Sequence, residues 1–175
     1  MSIVAFDGVI LAVDRASWKG DVWIHTKKLF KMAPCGECVC RFRLPAITKS
    51  LVWGACGTAA EVPLMLRWMQ EGGDVPSLED KGMSRGLILD AETGEVYGLT
   101  GLLTLEPFTH PPVADGGGHQ LALGAMLAGA SAIRAVELVA ARTAMAAGGV
   151  DFYTLRALEA TAGKRGFPPR NEELT

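Results

Sequence analysis

The fold is decided at the start of the chain, by the stretch Met1-Ser2-Ile3-Val4-Ala5-Phe6-Asp7-Gly8-Val9-Ile10-Leu11-Ala12-Val13-Asp14. Two apolar runs rich in β-branched residues, 3–6 and 9–13, are joined by the dipeptide Asp7-Gly8. This dipeptide readily takes the positive φ angles of a two-residue hairpin turn. The chain is therefore predicted to open with a β-hairpin.

Ser2 is a candidate nucleophile. It is small enough for a methionine aminopeptidase to remove Met1, which would give one residue both a hydroxyl and a free α-amine. Such an amine has a pKa of about 7.7 to 8.0, so near neutral pH it can take the proton from its own hydroxyl. The alternative interpretation is that Met-Ser is an ordinary start to a strand.

Two charged residues and a glycine turn follow the hairpin. Asp14 ends the second predicted strand, and residues 26–32 place Lys28 at the head of another. Residues 51–61 predict an apolar strand that breaks at glycines into a helix. Taken alone, Asp14 and Lys28 would be interpreted as a plain charge pair at two strand ends.

This order of elements resembles the β-type proteasome subunits, the bacterial HslV peptidase and their shorter bacterial and phage relatives, all N-terminal nucleophile hydrolases. The resemblance implies that Ser2 is the nucleophile, Lys28 the lysine that tunes it and Asp14 the aspartate that holds this lysine. It also implies that the backbone N–H of Gly54 faces the oxyanion. An ammonium beside the nucleophile would favour the alkoxide, and a carboxylate would fix the ammonium in place.

A second stretch, residues 113–132, carries the same resemblance through a glycine-rich turn that enters a helix. A phosphate cradle is the weaker alternative, because neither a G-K-[ST] nor a G-x-G-x-x-G pattern is present. The resemblance implies an α+β fold, a four-layer αββα sandwich. It predicts one domain over residues 1–155 with an insertion at 35–50, followed by a C-terminal tail at 156–175.

The chain also departs from the family pattern, in which a serine, an aspartate and a further serine or threonine support the nucleophile. The matching positions are Gly117, Ala144 and Ala147, or Thr143 and Ala146 for the last two if the register slips by one. A serine nucleophile also lacks the methyl group that restricts the χ1 of threonine. We therefore expect a degenerate peptidase site with weak or no activity. The alternative is an inactive homologue that serves as an assembly component, for example of a phage particle.

The cysteines offer a metal-site hypothesis. Cys35, Cys38 and Cys40 form a C-x-x-C-x-C cluster, and Cys56 would complete four thiolates for tetrahedral zinc. No second C-x-x-C is present, so a hairpin with free thiols is favoured, and no metal or cofactor is predicted. The following residues, 41–50, are predicted to be a solvated loop.

Helical periodicity appears in two places. A helix is predicted after Thr58, which with Glu61 has the spacing of a capping box, and it should end at Gly72-Gly73. A second helix is predicted over residues 132–145. The apolar face of the first helix is Val62, Met65, Leu66 and Met69, with Trp68 beside it.

Composition limits the classes of partner. Of 175 residues 49% are hydrophobic, and 17 Lys and Arg stand against 19 Asp and Glu. The mean hydropathy is +0.23. Such a chain suits a subunit that hides surface in an assembly and does not suit a nucleic-acid binder. The resemblance implies a homo-oligomer, with stacked rings, that acts on peptides or unfolded protein if active and has an unfoldase or virion partner.

The location is predicted from the absence of sorting features in the sequence. The opening apolar run lacks a basic n-region and is broken by Asp7-Gly8, which argues against a signal peptide. No uninterrupted apolar run of about 20 residues is present to span a membrane. A cytoplasmic protein of a bacterial or phage-infected cell is expected, with the virion as an alternative, and with reduced cysteines.

Overall fold

The computed structural model describes residues 2–19, 22–44, 48–79, 83–143 and 148–155. Within them lie eleven strands and four helices. The helices are α1 (Gly36–Phe42), α2 (Val62–Glu71), α3 (His119–Leu127) and α4 (Ala132–Arg142). The strands are β1 (Ile3–Phe6), β2 (Ile10–Asp14), β3 (Ala16–Lys19), β4 (Val22–His25), β5 (Leu29–Met32), β6 (Leu51–Ala55), β7 (Ser84–Asp90), β8 (Val96–Thr100), β9 (Leu105–Phe108), β10 (Val113–Gly116) and β11 (Val150–Thr154).

The strands form two large antiparallel sheets and a small ribbon. One sheet has four strands in the order β10-β1-β2-β11, and the other has five in the order β5-β6-β7-β8-β9. The ribbon pairs β3 with β4. The chain is therefore a mixed α+β protein, and β1, which carries the start of the chain, is an interior strand.

Three apolar clusters hold these elements together. The first joins α1 and α2 to the five-stranded sheet, through residues such as Trp53, Met65 and Met69. The second packs α3 and α4 on the four-stranded sheet. The third lies between the two sheets, where Val4 and Leu11 meet Val52 and other residues of the five-stranded sheet. Because side chains alternate along a strand, β1 contributes Ile3 to the second cluster and Val4 to the third.

The predicted opening hairpin is confirmed. Strands β1 and β2 pair in antiparallel register, with Val4 opposite Val13. The turn is one residue longer than predicted, because the Asp7 carboxylate accepts hydrogen bonds from the N–H groups of Val9 and Ile10, at 2.9 and 2.8 Å. Val9 is thereby held in the turn instead of the strand.

The hairpin predicted around the cysteines, and the solvated loop after it, are wrong over the described residues. Residues 36–42 form helix α1, and Cys38, Phe42 and Leu44 are buried. The Phe42 ring packs edge-on against Trp68 of α2, with 5.7 Å between ring centroids. A helix this short depends more on tertiary packing than on its own sequence, so local patterns missed it.

The predicted capping box is also wrong. Helix α2 begins one residue after Glu61, whose side chain caps no N–H of the helix. One carboxylate oxygen of Glu61 instead accepts the N–H of Glu79 at 2.8 Å, and the other is paired with Arg85. The Glu61 side chain therefore binds residues distant in sequence, Glu79 and Arg85, and not the helix end that the local pattern assigned to it.

Other predicted elements agree with the structure. Met65, Trp68 and Met69 are buried on α2, which ends before Gly72. Helix α4 begins as predicted at residue 132, and residues 144–147 lie outside the described part. No helix in the described ranges is both long and apolar enough to cross a membrane.

Candidate active site

Ser2, Asp14 and Lys28 lie together, as the sequence predicts. The Lys28 ammonium donates to Ser2 Oγ at 2.8 Å and to both carboxylate oxygens of Asp14 at 3.1 Å. It also donates to the backbone carbonyl of Ala16. All three side chains are buried, with residue exposures of 6%, 0% and 5% for Ser2, Asp14 and Lys28. A hydroxyl, an ammonium and a carboxylate thus form one contiguous buried network.

The geometry favours the protonated form of Lys28. An ammonium has three protons to donate, and this one has three acceptor groups, in Ser2, Asp14 and Ala16. Burial lowers the pKa of Lys28 below its ordinary value, while the Asp14 carboxylate and, more weakly, the Cys56 thiol oppose this shift. A buried ammonium with a lowered pKa can release its proton at a lower pH than a surface lysine.

Asp14 is fixed by the backbone on either side of it. One carboxylate oxygen accepts the N–H of Ile3 at 2.9 Å, and the other accepts the N–H of Ala16 at 3.0 Å. Ile3 begins β1 and Asp14 ends β2, so the antiparallel pairing of these strands brings the carboxylate beside Ser2. The opening hairpin therefore builds two of the three groups in the network.

The backbone of Ser2 is held by the glycine-rich turn. Its carbonyl accepts the N–H of Gly117 at 2.8 Å. Gly116 has φ +93°, and a Cβ at this position would lie 2.1 Å from the Ser2 carbonyl oxygen. Only glycine allows this approach, which explains the glycine at position 116 without any phosphate ligand.

An open depression lies in front of Ser2. Its volume is about 330 Å³, and it adjoins a narrow recess beside Lys28. The depression is lined by Ser2, Cys56, Gly57, Thr58, Met83, Gly116 and Gly117. The nucleophile candidate therefore borders a space that a ligand can enter.

Gly54 is not at this depression. It lies inside β6, opposite Leu29 on one side and Leu87 on the other, and a Cβ there would lie 2.5 Å from Val4. Cys56 donates its N–H to the β7 carbonyl of Arg85, so the alternation of an antiparallel ladder turns the Gly54 N–H towards β7 as well. The role predicted for Gly54 needs an N–H that faces the nucleophile.

Gly57 lines the depression together with Ser2. It follows the end of β6 and has φ +93°, which a side chain would strain. The resemblance assigned the first glycine of the strand because sequence alone does not show where the chain leaves the sheet. Two residues, Ala55 and Cys56, lie between Gly54 and Gly57.

The cysteines do not assemble. Among the residues that the structure describes, no group of three or more His, Cys, Asp or Glu side chains is arranged to hold a metal ion. Cys35 caps α1 by accepting the N–H of Cys38, and burial raises the pKa of the Cys38 thiol to about 12. Cys40 is exposed, and Cys56 lies at the depression.

One residue of the site was missed by the sequence analysis. Asp115 accepts a hydrogen bond from the Cys56 thiol at 3.6 Å and the N–H of Gly116 at 2.7 Å. The signal available in the sequence was a carboxylate placed directly before three glycines. Three positions lack the polar residues that support the nucleophile in the family pattern. Of these, Gly117 lines the depression, whereas Ala144 and Ala147 lie outside the described residues.

Comparison with solved structures shows the fold class. Thiobacillus denitrificans BPH is similar at 16% sequence identity, with a TM-score of 0.50, over 90% of this chain and all of that one. Thiobacillus denitrificans BPH in complex with Epoxomicin is similar at 17% identity, with a TM-score of 0.51, over 89% of this chain and all of that one. No family model and no curated protein matches this chain. At these identities the likeness concerns the fold alone.

Proposed function

We propose that this chain is a proteasome-like N-terminal nucleophile hydrolase that cleaves peptides or unfolded protein, with an incomplete site and weak activity. The observation that carries the proposal is the buried Lys28 ammonium, which contacts Ser2 Oγ at 2.8 Å and the Asp14 carboxylate at 3.1 Å. The Lys28 ammonium directs one of its three protons to this hydroxyl. Its contact with a hydroxyl at the wall of an open depression is what a nucleophile requires.

The proposed reaction begins once Met1 has been removed. Ser2 Oγ attacks the peptide carbonyl, and its proton passes to the free α-amine of the same residue. The Lys28 ammonium stabilises the developing alkoxide, and the Gly57 N–H donates to the oxyanion. The amine then gives its proton to the leaving nitrogen as the peptide bond breaks. Water hydrolyses the resulting ester and restores Ser2.

The four-layer αββα sandwich is proposed as the fold in full. Its support is the sequence of apolar clusters, which places α1 and α2 outside one sheet, α3 and α4 outside the other, and a shared core between the sheets. The likeness to a protein in complex with Epoxomicin, a proteasome inhibitor, agrees with this assignment.

A ring-shaped homo-oligomer belongs to the same proposal. Leu121 and Leu127 on α3 are 41% and 70% exposed, and Phe152 on the edge strand β11 is 55% exposed. Large apolar side chains left in water are typical of surface that an assembly covers. The same observation favours the second candidate function, an inactive homologue that serves as an assembly component.

Intact mass spectrometry with Epoxomicin separates the two functions. This epoxyketone closes a ring on a terminal residue that has both a hydroxyl and a free amine. Loss of Met1 and a gain of one inhibitor mass, absent in Ser2→Ala, is the expected result. Ser2→Thr is the matched active control and should also gain the adduct. A protein that retains Met1 and gains no mass would contradict the hydrolase proposal and favour the inactive assembly component.

A further inference from the structure

Two loops line the depression in front of Ser2, and one carboxylate touches both. The first loop is the turn at Cys56 and Gly57, which follows β6. The second is the glycine turn at residues 116–118, which follows β10. Asp115, the residue before this glycine turn, accepts the Cys56 thiol with one oxygen and the Gly116 N–H with the other.

The second loop fixes the nucleophile. The Gly117 N–H holds the Ser2 carbonyl at 2.8 Å, and Gly116 packs so closely on this carbonyl that no side chain fits. The first loop carries the N–H proposed for the oxyanion. These two elements come from different sheets, so their relative position depends on contacts that cross between the sheets.

From this arrangement we infer that Asp115 is a positioning residue that holds the oxyanion turn at Cys56-Gly57 against the turn that anchors Ser2. The inference rests on the proposed hydrolase function for its catalytic consequence. Asp115 does not line the depression, so it acts through Cys56 and Gly116 and not on the substrate. A shift of about 1 Å between nucleophile and oxyanion donor can cost about 100-fold in rate.

The first readout is the reactivity of the Cys56 thiol, which needs no hydrolase activity. Iodoacetamide labelling of the full chain, followed by peptide mapping, reports how often the Cys56 turn opens. Asp115→Leu removes both acceptor oxygens and should raise the Cys56 labelling rate about tenfold, the effect of losing one ordinary hydrogen bond. Asp115→Asn should stay within about threefold, because its amide oxygen accepts from Gly116 while its nitrogen can donate to the sulfur. Exposed Cys40, in the same molecule, is the internal control.

The second readout is the reaction with Epoxomicin, resolved into an affinity and a limiting rate. Asp115→Leu should lower the limiting rate by about 10- to 100-fold with the affinity nearly unchanged, because the ligand surface is intact while the reacting groups are misaligned. Cys56→Ala should have a similar effect, and Cys56→Ser should recover most of it because a hydroxyl can also donate. The double variant Asp115→Leu/Cys56→Ala should be no slower than either single variant, since both remove one shared contact.

The outcomes separate this inference from the proposed function. If Asp115→Leu accelerates Cys56 labelling but neither the parent protein nor any variant reacts with Epoxomicin, the Asp115–Cys56 contact is supported and the hydrolase proposal fails. If the parent protein reacts but Asp115→Leu changes neither labelling nor limiting rate, the inference is overturned. Faster labelling with an unchanged limiting rate also overturns it, because the turn is then held by Asp115 without consequence for the reaction. Should Asp115→Leu not fold, Cys56→Ala tests the same contact from the other side.

Discussion

Two buried charge pairs in the described part of the chain are almost equally inaccessible to solvent but differ in the groups that they contact. In one, Lys28 and Asp14 have side-chain exposures of 6% and 0%; in the other, Arg85 and Glu61 have exposures of 1% and 7%. The Glu61 carboxylate holds the backbone of Glu79 as well as Arg85. The Lys28 ammonium instead extends its contacts to a side-chain hydroxyl at the wall of a depression.

The comparison shows that burial of a pair says little about function. Taking two charges out of water is costly, and a buried pair returns little net stability, whether or not it takes part in chemistry. The identity of the third partner distinguishes the two: a backbone N–H for Glu61 and a side-chain hydroxyl for Lys28. Substitution of Lys28 should therefore lower mainly the reaction rate, whereas substitution of Arg85 should lower mainly the free energy of unfolding.

Lys28→Met should produce the largest loss of activity. Removing the ammonium takes away stabilisation of the alkoxide, and a loss of one such group lowers rates by about 100- to 1000-fold. The measurement is the limiting rate of Epoxomicin addition, normalised to the folded fraction. Lys28→Arg, which keeps a positive charge, is the conservative control, and its limiting rate should lie between those of the parent protein and Lys28→Met. A folded Lys28→Met protein that reacts at the parent rate would remove Lys28 from the mechanism.

Arg85→Met should show the reverse pattern. It leaves the Glu61 carboxylate buried without its cation, which costs about 3–5 kcal/mol in free energy of unfolding. The folded fraction should nevertheless react with Epoxomicin at close to the parent rate. Urea titration together with the limiting rate checks both statements. A rate loss as large as that of Lys28→Met would contradict the division drawn between the two pairs.

Two glycines extend the comparison from charges to backbone. Gly54→Ala should lower the free energy of unfolding by about 1–3 kcal/mol, because its Cβ would press on Val4, and Val4→Ala in the same chain should restore much of the loss. Gly57→Ala should instead slow the Epoxomicin reaction about tenfold or more, since φ +93° is strained for alanine and the N–H would turn. Equal rates for the two single variants would remove Gly57 as the oxyanion donor.

The smallest effect is expected in the pH dependence. The proposed mechanism needs a neutral α-amine and a protonated Lys28, so the rate should rise through about pH 8 and fall again on the alkaline side. Because burial lowers the pKa of Lys28, this fall should begin below pH 10.5, the ordinary value. Lys28→Arg should lose the alkaline fall, because arginine stays protonated. The free energy of unfolding should rise with pH between the lowered and the ordinary lysine pKa, since the unfolded chain binds more protons there.

Local rules predicted the parts of the fold that local residues determine. The opening hairpin follows from Asp7-Gly8 between β-branched runs, and the buried face of α2 follows from helical spacing. Helix α1 could not be predicted this way, because it is stabilised by Phe42 packing against Trp68 of another helix.

The site was predictable to a similar extent. Ser2, Asp14 and Lys28 were chosen by resemblance, and the structure brings them into contact. Gly57 was missed because the choice between two glycines depends on where β6 leaves the sheet. Asp115 was missed because its partner, the Cys56 thiol, lies 59 positions away in sequence.

The placement of β1 between β10 and β2 affects how the site responds to motion. Ile3 directly follows the nucleophile candidate, is fully buried, and gives its amide hydrogen to the Asp14 carboxylate. An amide in such a position exchanges its hydrogen with solvent only when the four-stranded sheet opens. We therefore expect it to belong to the most protected cooperative unit of the molecule. Fraying of surface segments therefore leaves the nucleophile in place. Heating should abolish the site together with the native sheet and not in an earlier, separate step.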